Sequence, residues 1–278
     1  MKKLLILGLT LFFTVSINAQ DAEDKKVLAG LMIGGGMNFN SAETNAISTS
    51  VGGDFVVGMN LDWHFSSNIA LSTGIEFDFN RFTHVFNDSA FFDYSDKEVL
   101  QRGNSDDANF GTASDLGEGR FFLQERKYKS IYLSLPVMLR FQTNYLGMMR
   151  YFGKFGIRNS FLLQTRGDNL GNNYPLGAAP ITSANLEDMR IPGSLSLYKG
   201  TIAFSAGAEW NFSGSTCLVG EIGYYYGFTE IHQQTALTGD DNKNMTLYNG
   251  PYANKEARQY FTPSSRQGQL LVKVSILF

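Results

Sequence analysis

The chain has 278 residues, a formal net charge of −3, 18% charged and 14% aromatic residues, 29 glycines and one cysteine. A single cysteine excludes an intrachain disulfide framework and any zinc site with two or more thiolates. The near-neutral balance and a pI near 5.7 leave no basic footprint for nucleic acid, and no stretch after the first twenty residues is apolar long enough for a membrane helix.

Residues 1–19 read MKKLLILGLTLFFTVSINA. Lys2 and Lys3 form a positive start, Leu4 to Val15 an apolar core, and Ser16 to Ala19 a small, polar cleavage segment. That pattern predicts a secretory signal peptide cleaved after Ala19, because the apolar run is too short to span and no stop-transfer flank follows. A short periplasmic segment over 20–27 then leads into a barrel over 28–278.

From there the chain alternates apolar and polar residues in eight runs, the period of a strand with two unlike faces. The windows are 31–39, 55–65, 69–79, 131–141, 151–161, 202–212, 218–228 and 268–278. Each matches the roughly nine to eleven residues that a tilted strand needs to cross a bilayer. One phase is apolar and uncharged, as in Phe55, Val57, Met59, Leu61, Trp63 and Phe65, or Leu270, Val272, Val274, Ile276 and Phe278. The opposite phase carries Asp54, Asp62, His64, Glu76, Asp78, Arg140, Lys154, Arg158, Glu209, Glu221 and Lys273.

A β-sandwich shows the same alternation with its apolar face turned inward, so two further features decide. Connections alternate strictly between short (66–68, 142–150, 213–217) and long (40–54, 80–130, 162–201, 229–267), the pattern of periplasmic turns and extracellular loops. Aromatic residues also sort by depth. Trp63, Phe65, Phe141, Tyr151, Trp210, Phe212 and Phe278 fall at one end of the runs, and Phe55, Phe79, Phe161 and Phe228 at the other, as interfacial girdles do. The predicted fold is all-β: an eight-stranded antiparallel up-and-down transmembrane β-barrel with four long extracellular loops, located in the outer membrane. The closing strand LLVKVSILF, ending at Phe278, suits a signal read by the barrel-assembly machinery.

The segment YLSLPVMLRF (132–141), the Gly34-x-Gly36-x-Asn38 start and the Glu221-x-Gly223-Tyr224 strand resemble the PorT-type, porin-like outer-membrane β-barrel family of the Bacteroidetes. Arg140 and Ser134 stand where that family often has Lys and Glu, and both keep the inward phase. The resemblance implies the barrel and permits, for some members, an accessory role in type IX secretion. Pro136 removes one ladder hydrogen bond, so a local bulge is expected there.

Eight strands enclose an interior that side chains can fill. The inward acids and bases, with Arg150 at a strand entrance, should pair in so narrow a space, because an unpaired buried charge is costly. Inward glycines (Gly58, Gly74, Gly156, Gly207, Gly223) are expected to make room for the long bases. The predicted lumen is a salt-bridged plug, with a narrow channel as the alternative. FFLQERKYKSIYL (121–133) keeps alternating past the bilayer window, which extends the loops as hairpins.

The 80–130 loop is acidic (among others Asp88, Asp93, Asp96, Glu98, Asp106 and Asp107), but its spacing matches no EF-hand. Arg126, Lys127 and Lys129 fall where lipopolysaccharide phosphates would lie. Catalysis needs a nucleophile, a base and an orienter. The best trio is His84, Asp88 and Ser89, with His232 near the same rim, and it matches no known enzyme motif. Arg166-Gly167-Asp168 reads as a polar loop, and Cys217 as a small inward residue. No phosphate cradle or metal cluster points to a cofactor. The reading is therefore non-enzymatic: surface ligand or partner binding, or envelope stabilisation. Membrane lipid, lipopolysaccharide and a secretion or surface partner are the expected contacts, and a rim-site enzyme is the last alternative.

Overall fold

The computed structural model describes residues 26–43, 45–101, 119–174, 181–212, 216–233, 245–250 and 258–278. The signal-peptide reading of 1–19, most of the 20–27 segment, and Asp106 and Asp107 of the acidic loop lie outside them.

The described residues form thirteen strands: β1 (Val27–Ala42), β2 (Ile47–Thr49), β3 (Gly52–His64), β4 (Ile69–Ser95), β5 (Glu98–Val99), β6 (Gly119–Gln142), β7 (Met149–Tyr174), β8 (Thr182–Arg190), β9 (Tyr198–Asn211), β10 (Cys217–Glu230), β11 (Leu247–Asn249), β12 (Gln259–Phe261) and β13 (Ser265–Leu277). All eight alternating windows fall on long strands, and these pair antiparallel in the circuit β1–β3–β4–β6–β7–β9–β10–β13–β1. The circuit closes where Gly30 faces Leu277 and Ala42 faces Ser265. A second closed path leaves β4 through β5, crosses to β8 by the parallel pair Glu98–Arg190, and rejoins β7. The sheet is therefore richer than the eight runs predict. The additional strands are short elements of the long connections, whose mixed sequences show no sustained period of two.

The ends of β3, β6 and β9 share one end of the ring with the start of β1 and the finish of β13. There His64 N–H donates to Lys26 O at 2.7 Å and Phe278 N–H to Ala29 O at 2.9 Å. At the opposite end β4, β6 and β7 run on, to 27, 24 and 26 residues, well beyond the roughly nine to eleven that a crossing needs. The alternation of 121–133 is thus true strand. Bulges between Val85 and Ala90 and between Leu123 and Glu125 bend this extension, here termed the head. Arg166-Gly167-Asp168 lies within β7, not in a loop, and is tied down by Arg166–Asp188 and Lys129–Asp168 pairs.

The register is unchanged on either side of Pro136, from Glu76–Ser134 to Thr73–Val137, so the expected bulge is absent. Thr73 instead donates its hydroxyl to Pro136 O at 2.8 Å.

The faces are inverted relative to a water-soluble sandwich. Leu31 is 63% exposed, Phe155 50% and Val272 54%, and the aromatic residues of both expected girdles are exposed as well. Arg140 and Arg158 are wholly buried. A sheet that shows hydrocarbon outward and hides charge inward matches a hydrocarbon surround, with every ladder group bonded by closure. In the head the sense reverses: Phe82, Phe86, Phe92, Phe121, Leu123, Leu195 and Ile231 pack inside as an apolar core.

Candidate functional site

Two interior regions gather the chemistry: the lumen of the ring and the floor of the head. In the lumen, strand alternation aims one residue in two inward, and each base reaches acids on other strands. Arg140 on β6 pairs with Asp62 on β3 and Glu209 on β9. Glu209 also receives Arg150 at 2.8 Å and the Tyr145 hydroxyl at 2.8 Å. Further along, Lys154 meets Glu221 at 2.7 Å, Lys273 meets Glu76 at 2.7 Å, and Arg158 holds Glu76 at 2.8 Å and Asp78 at 3.1 Å. Asp54 is held by amides instead of a base, accepting from Asn38 at 2.9 Å and Gln269 at 3.0 Å.

All ten predicted lumen charges are thus buried and bonded, and sequence reasoning missed one of their partners. Lys199 is buried, 3.7 Å from Asp78, with its ammonium 4.4 Å from the Tyr132 ring centroid. It shares the inward phase of Thr201 and Ala203, and extending the 202–212 window toward its start would have found it. With Lys199 and Arg150 the interior holds six bases against six acids. Paired, hydrogen-bonded charge is the form in which buried ions are tolerated.

The lumen glycines act differently from expectation. A Cβ at Gly58, Gly74, Gly156 or Gly207 would meet backbone of the neighbouring strand at 2.2 Å. These glycines let strands approach closely instead of clearing space for bases. Gly34, where a Cβ would lie 2.9 Å from Lys273 Cγ, does clear such space. At mid-height the gap lined by Asn60, Ser72, Glu76, Lys154, Glu221 and Lys273 measures about 10 Å³, at most one water molecule.

At the floor of the head the predicted rim residues separate. Lys127 is exposed and Lys129 half-buried against Asp168, but Arg126 is wholly buried. A period of two cannot place 126 on the face of 127 and 129, so the expected three-residue lipopolysaccharide patch loses its arginine. The candidate catalytic trio separates because the ladder bulges between Val85 and Ala90: His84 points inward, whereas Asp88 and Ser89, within the bulge, are exposed. His84 instead lies 5.0 Å from the His232 ring and 5.3 Å from Tyr128. Burial, then the proximity of His232 and Arg126, pushes His84 down to about 2. Burial also pushes His232 down to about 4, against the raising effect of its bond to Ser194 O. Both rings are neutral at pH 7. Above them Asp93 accepts from Tyr248 at 2.7 Å and from Arg258 at 2.8 Å. Cys217 is buried at the turn end of the lumen, 4.0 Å from the Tyr145 hydroxyl. Among the described residues no group of three or more His, Cys, Asp or Glu is placed to hold a metal.

A closed ladder with an apolar exterior and an ion-paired interior defines the class of outer-membrane β-barrels. The chain belongs to the family described as the outer membrane protein beta-barrel domain, whose model matches residues 18–233. Its place is accordingly the outer membrane. No curated protein matches it. Among solved structures it is similar to Neisserial surface protein A, at 10% identity over 91% of this chain and 98% of that one, with a TM-score of 0.32. It is also similar to the attachment invasion locus protein Ail of Yersinia pestis, at 10% identity over 91% and 100%, with a TM-score of 0.32. The outer membrane protein OprG from Pseudomonas aeruginosa is similar at 10% identity over 94% and 98%, with a TM-score of 0.42.

Proposed function

We propose that the chain crosses the outer membrane with its eight-strand circuit, holds the head outside the cell, conducts no ions, and acts without catalysis. Its role is to bind a surface ligand or partner through the head, or to stabilise the envelope. The observation that carries the non-conducting reading is the lumen itself. Five acids and six bases pair across it, amides hold the sixth acid, Asp54, and the mid-height gap is about 10 Å³. An ion in transit would have to break these pairs in a low-dielectric interior, at a cost of several kcal/mol each. The purified chain, refolded into a planar bilayer, is expected to give no reproducible single-channel steps. A stable stepwise current would establish the narrow-channel alternative.

Export by residues 1–19, contact of Lys127 and Lys129 with lipid or lipopolysaccharide phosphates, and reading of the Phe278 strand by the assembly machinery belong to the same proposal. So does membership of the PorT-type group, which rests on the 132–141 strand. The dispersal of His84, Asp88 and Ser89 supports the non-enzymatic reading. Gentle extraction from native membranes tests the role of the head. A free barrel favours ligand binding, whereas a stoichiometric complex with other envelope proteins makes it an accessory of a secretion machine.

A further inference from the structure

His84 and Arg126 face each other across the β4–β6 ladder, and Arg126 faces Asn169 across β6–β7. Tyr128 lies two residues along on the same inward face, and His232 packs over all of them just past β10. Arg126, Tyr128 and His84 are wholly buried and His232 is 1% exposed. Their polar atoms are nonetheless largely unused. Arg126 Nε donates to Asn169 Oδ1 at 2.5 Å, but neither Nη atom has a partner. The Tyr128 hydroxyl, both ring nitrogens of His84 and Nε2 of His232 also lack partners. Only Nδ1 of His232 is engaged, at 3.1 Å from Ser194 O.

This contrasts with the lumen, where Arg140, Arg150 and Arg158 each meet a carboxylate. Arg126 pairs with none among the described residues. A guanidinium does not discharge itself by losing a proton, and an uncompensated buried charge is the costliest arrangement a protein interior can hold. Among the described residues the cation therefore has no counter-anion, which leaves both Nη donors open to an external one. The four side chains come from β4, β6 and the segment after β10, with the three rings tilted or edge-on to one another. That arrangement suits a tetrahedral oxyanion with acceptors on all sides better than a flat carboxylate.

We propose that Arg126, Tyr128, His84 and His232 form a binding site for a phosphate group at the floor of the head. Arg126 supplies the charge and the two Nη donors, Tyr128 a hydroxyl, and the imidazoles an N–H each. The phosphate arrives either as a free ion or small phosphorylated solute, or as the exposed headgroup of a membrane lipid. The site is independent of whether the lumen conducts.

The test is titration of inorganic phosphate into the refolded full chain in zwitterionic detergent with a chloride background, followed by 31P NMR and calorimetry. Saturable one-to-one binding is expected. Arg126→Met should weaken it about tenfold or more, the value of a charge-assisted hydrogen-bond pair, and Gln124→Ala, altered at an exposed position of the same strand, should leave it unchanged. If Arg126→Met does not pass a heat-dependent gel-shift test of folding, Arg126→Lys and a His84→Asn/His232→Gln double variant serve in its place. Vesicles of phosphatidylcholine with and without phosphatidic acid separate the sources. Competition between phosphatidic acid and inorganic phosphate that depends on Arg126 assigns a headgroup, and its absence with phosphate binding intact assigns a free ion. The proposal is overturned if the folded chain binds neither probe at millimolar concentration. It is equally overturned if binding survives the Arg126 and histidine variants and disappears with Lys127→Met and Lys129→Met.

Discussion

Single residues in this barrel are defined by which side of the sheet they occupy, and the sequence makes that side legible. Asp62 and Glu76 reveal themselves as inward charges because their neighbours at even spacing are polar or small and their immediate neighbours are apolar. Which charge meets which is not legible, because pairing follows from strand tilt and register around a closed ring. Arg140 shows the stakes, being the direct ion-pair partner of Asp62 as well as a partner of Glu209. Arg140→Met is expected to lower the unfolding free energy in lipid vesicles by about 3–5 kcal/mol, the usual result of stranding a buried charge. Adding Asp62→Asn should recover a substantial part of that loss, and urea titrations of the single and double variants provide the check. If the second substitution recovers nothing, the arginine matters for packing against Phe152, 4.2 Å away, and not for charge.

At the scale of elements, β4, β6 and β7 each serve two surroundings in succession. Their parts within the ring face outward with Ile75, Val137 and Phe155, and their parts within the head turn Phe82, Leu123 and Leu162 toward an enclosed apolar core. The alternation of 121–133 announced the continuation, but the bulges in β4 and β6 that re-aim the side chains left no trace in a two-residue period. Arg126 lies past the β6 bulge and keeps the inward phase of Tyr128 and Arg140, so an unbroken period of two already sets it apart from Lys127 and Lys129. The head also carries the pH dependence. The folded pKa of His232 is depressed to about 4, below the ordinary value of about 6.5. The unfolded segment therefore binds more protons, and stability is complete above about pH 6.5 and lost as pH falls toward 4. The loss is roughly 3 kcal/mol for this group alone. Amide hydrogen exchange over 119–130 should accelerate between pH 7 and pH 4.5 in chloride buffer, whereas exchange over 131–141 stays slow. Sulfate, whose charge is constant over that range, should suppress the acceleration if an oxyanion sits between the rings.

For the whole molecule, the exposed apolar belt identifies the solvent. Ile222 is 52% exposed at mid-strand, and in water Ile222→Arg would be nearly neutral, within about 0.5 kcal/mol. In a bilayer the same change near the midplane should cost about 2–4 kcal/mol, read by equilibrium folding into phospholipid vesicles. A near-zero change there would remove the membrane assignment. The fold was legible at this scale because closure, the uncharged face and the aromatic ends all repeat around the ring. The short strands β2, β5, β11 and β12 were not legible, because two or three residues are too few to display a period of two.

The pairing of β1 with β13 has a consequence in time as well as in space. The seam joins the first strand to the last, so both edges of the growing sheet stay unsatisfied until nearly the whole chain is in place, and open edges have no stable existence in hydrocarbon. The two strands also lie unusually close, since a Cβ at Gly36 would fall 1.9 Å from Leu270 O. Gly36→Val should therefore leave strand formation intact but delay the final zipping. The heat-resistant gel band would then form about tenfold more slowly, the scale expected of a bulky insertion into a tight contact. Insertion of this protein is therefore expected to be all-or-nothing, with the seam as its slow step.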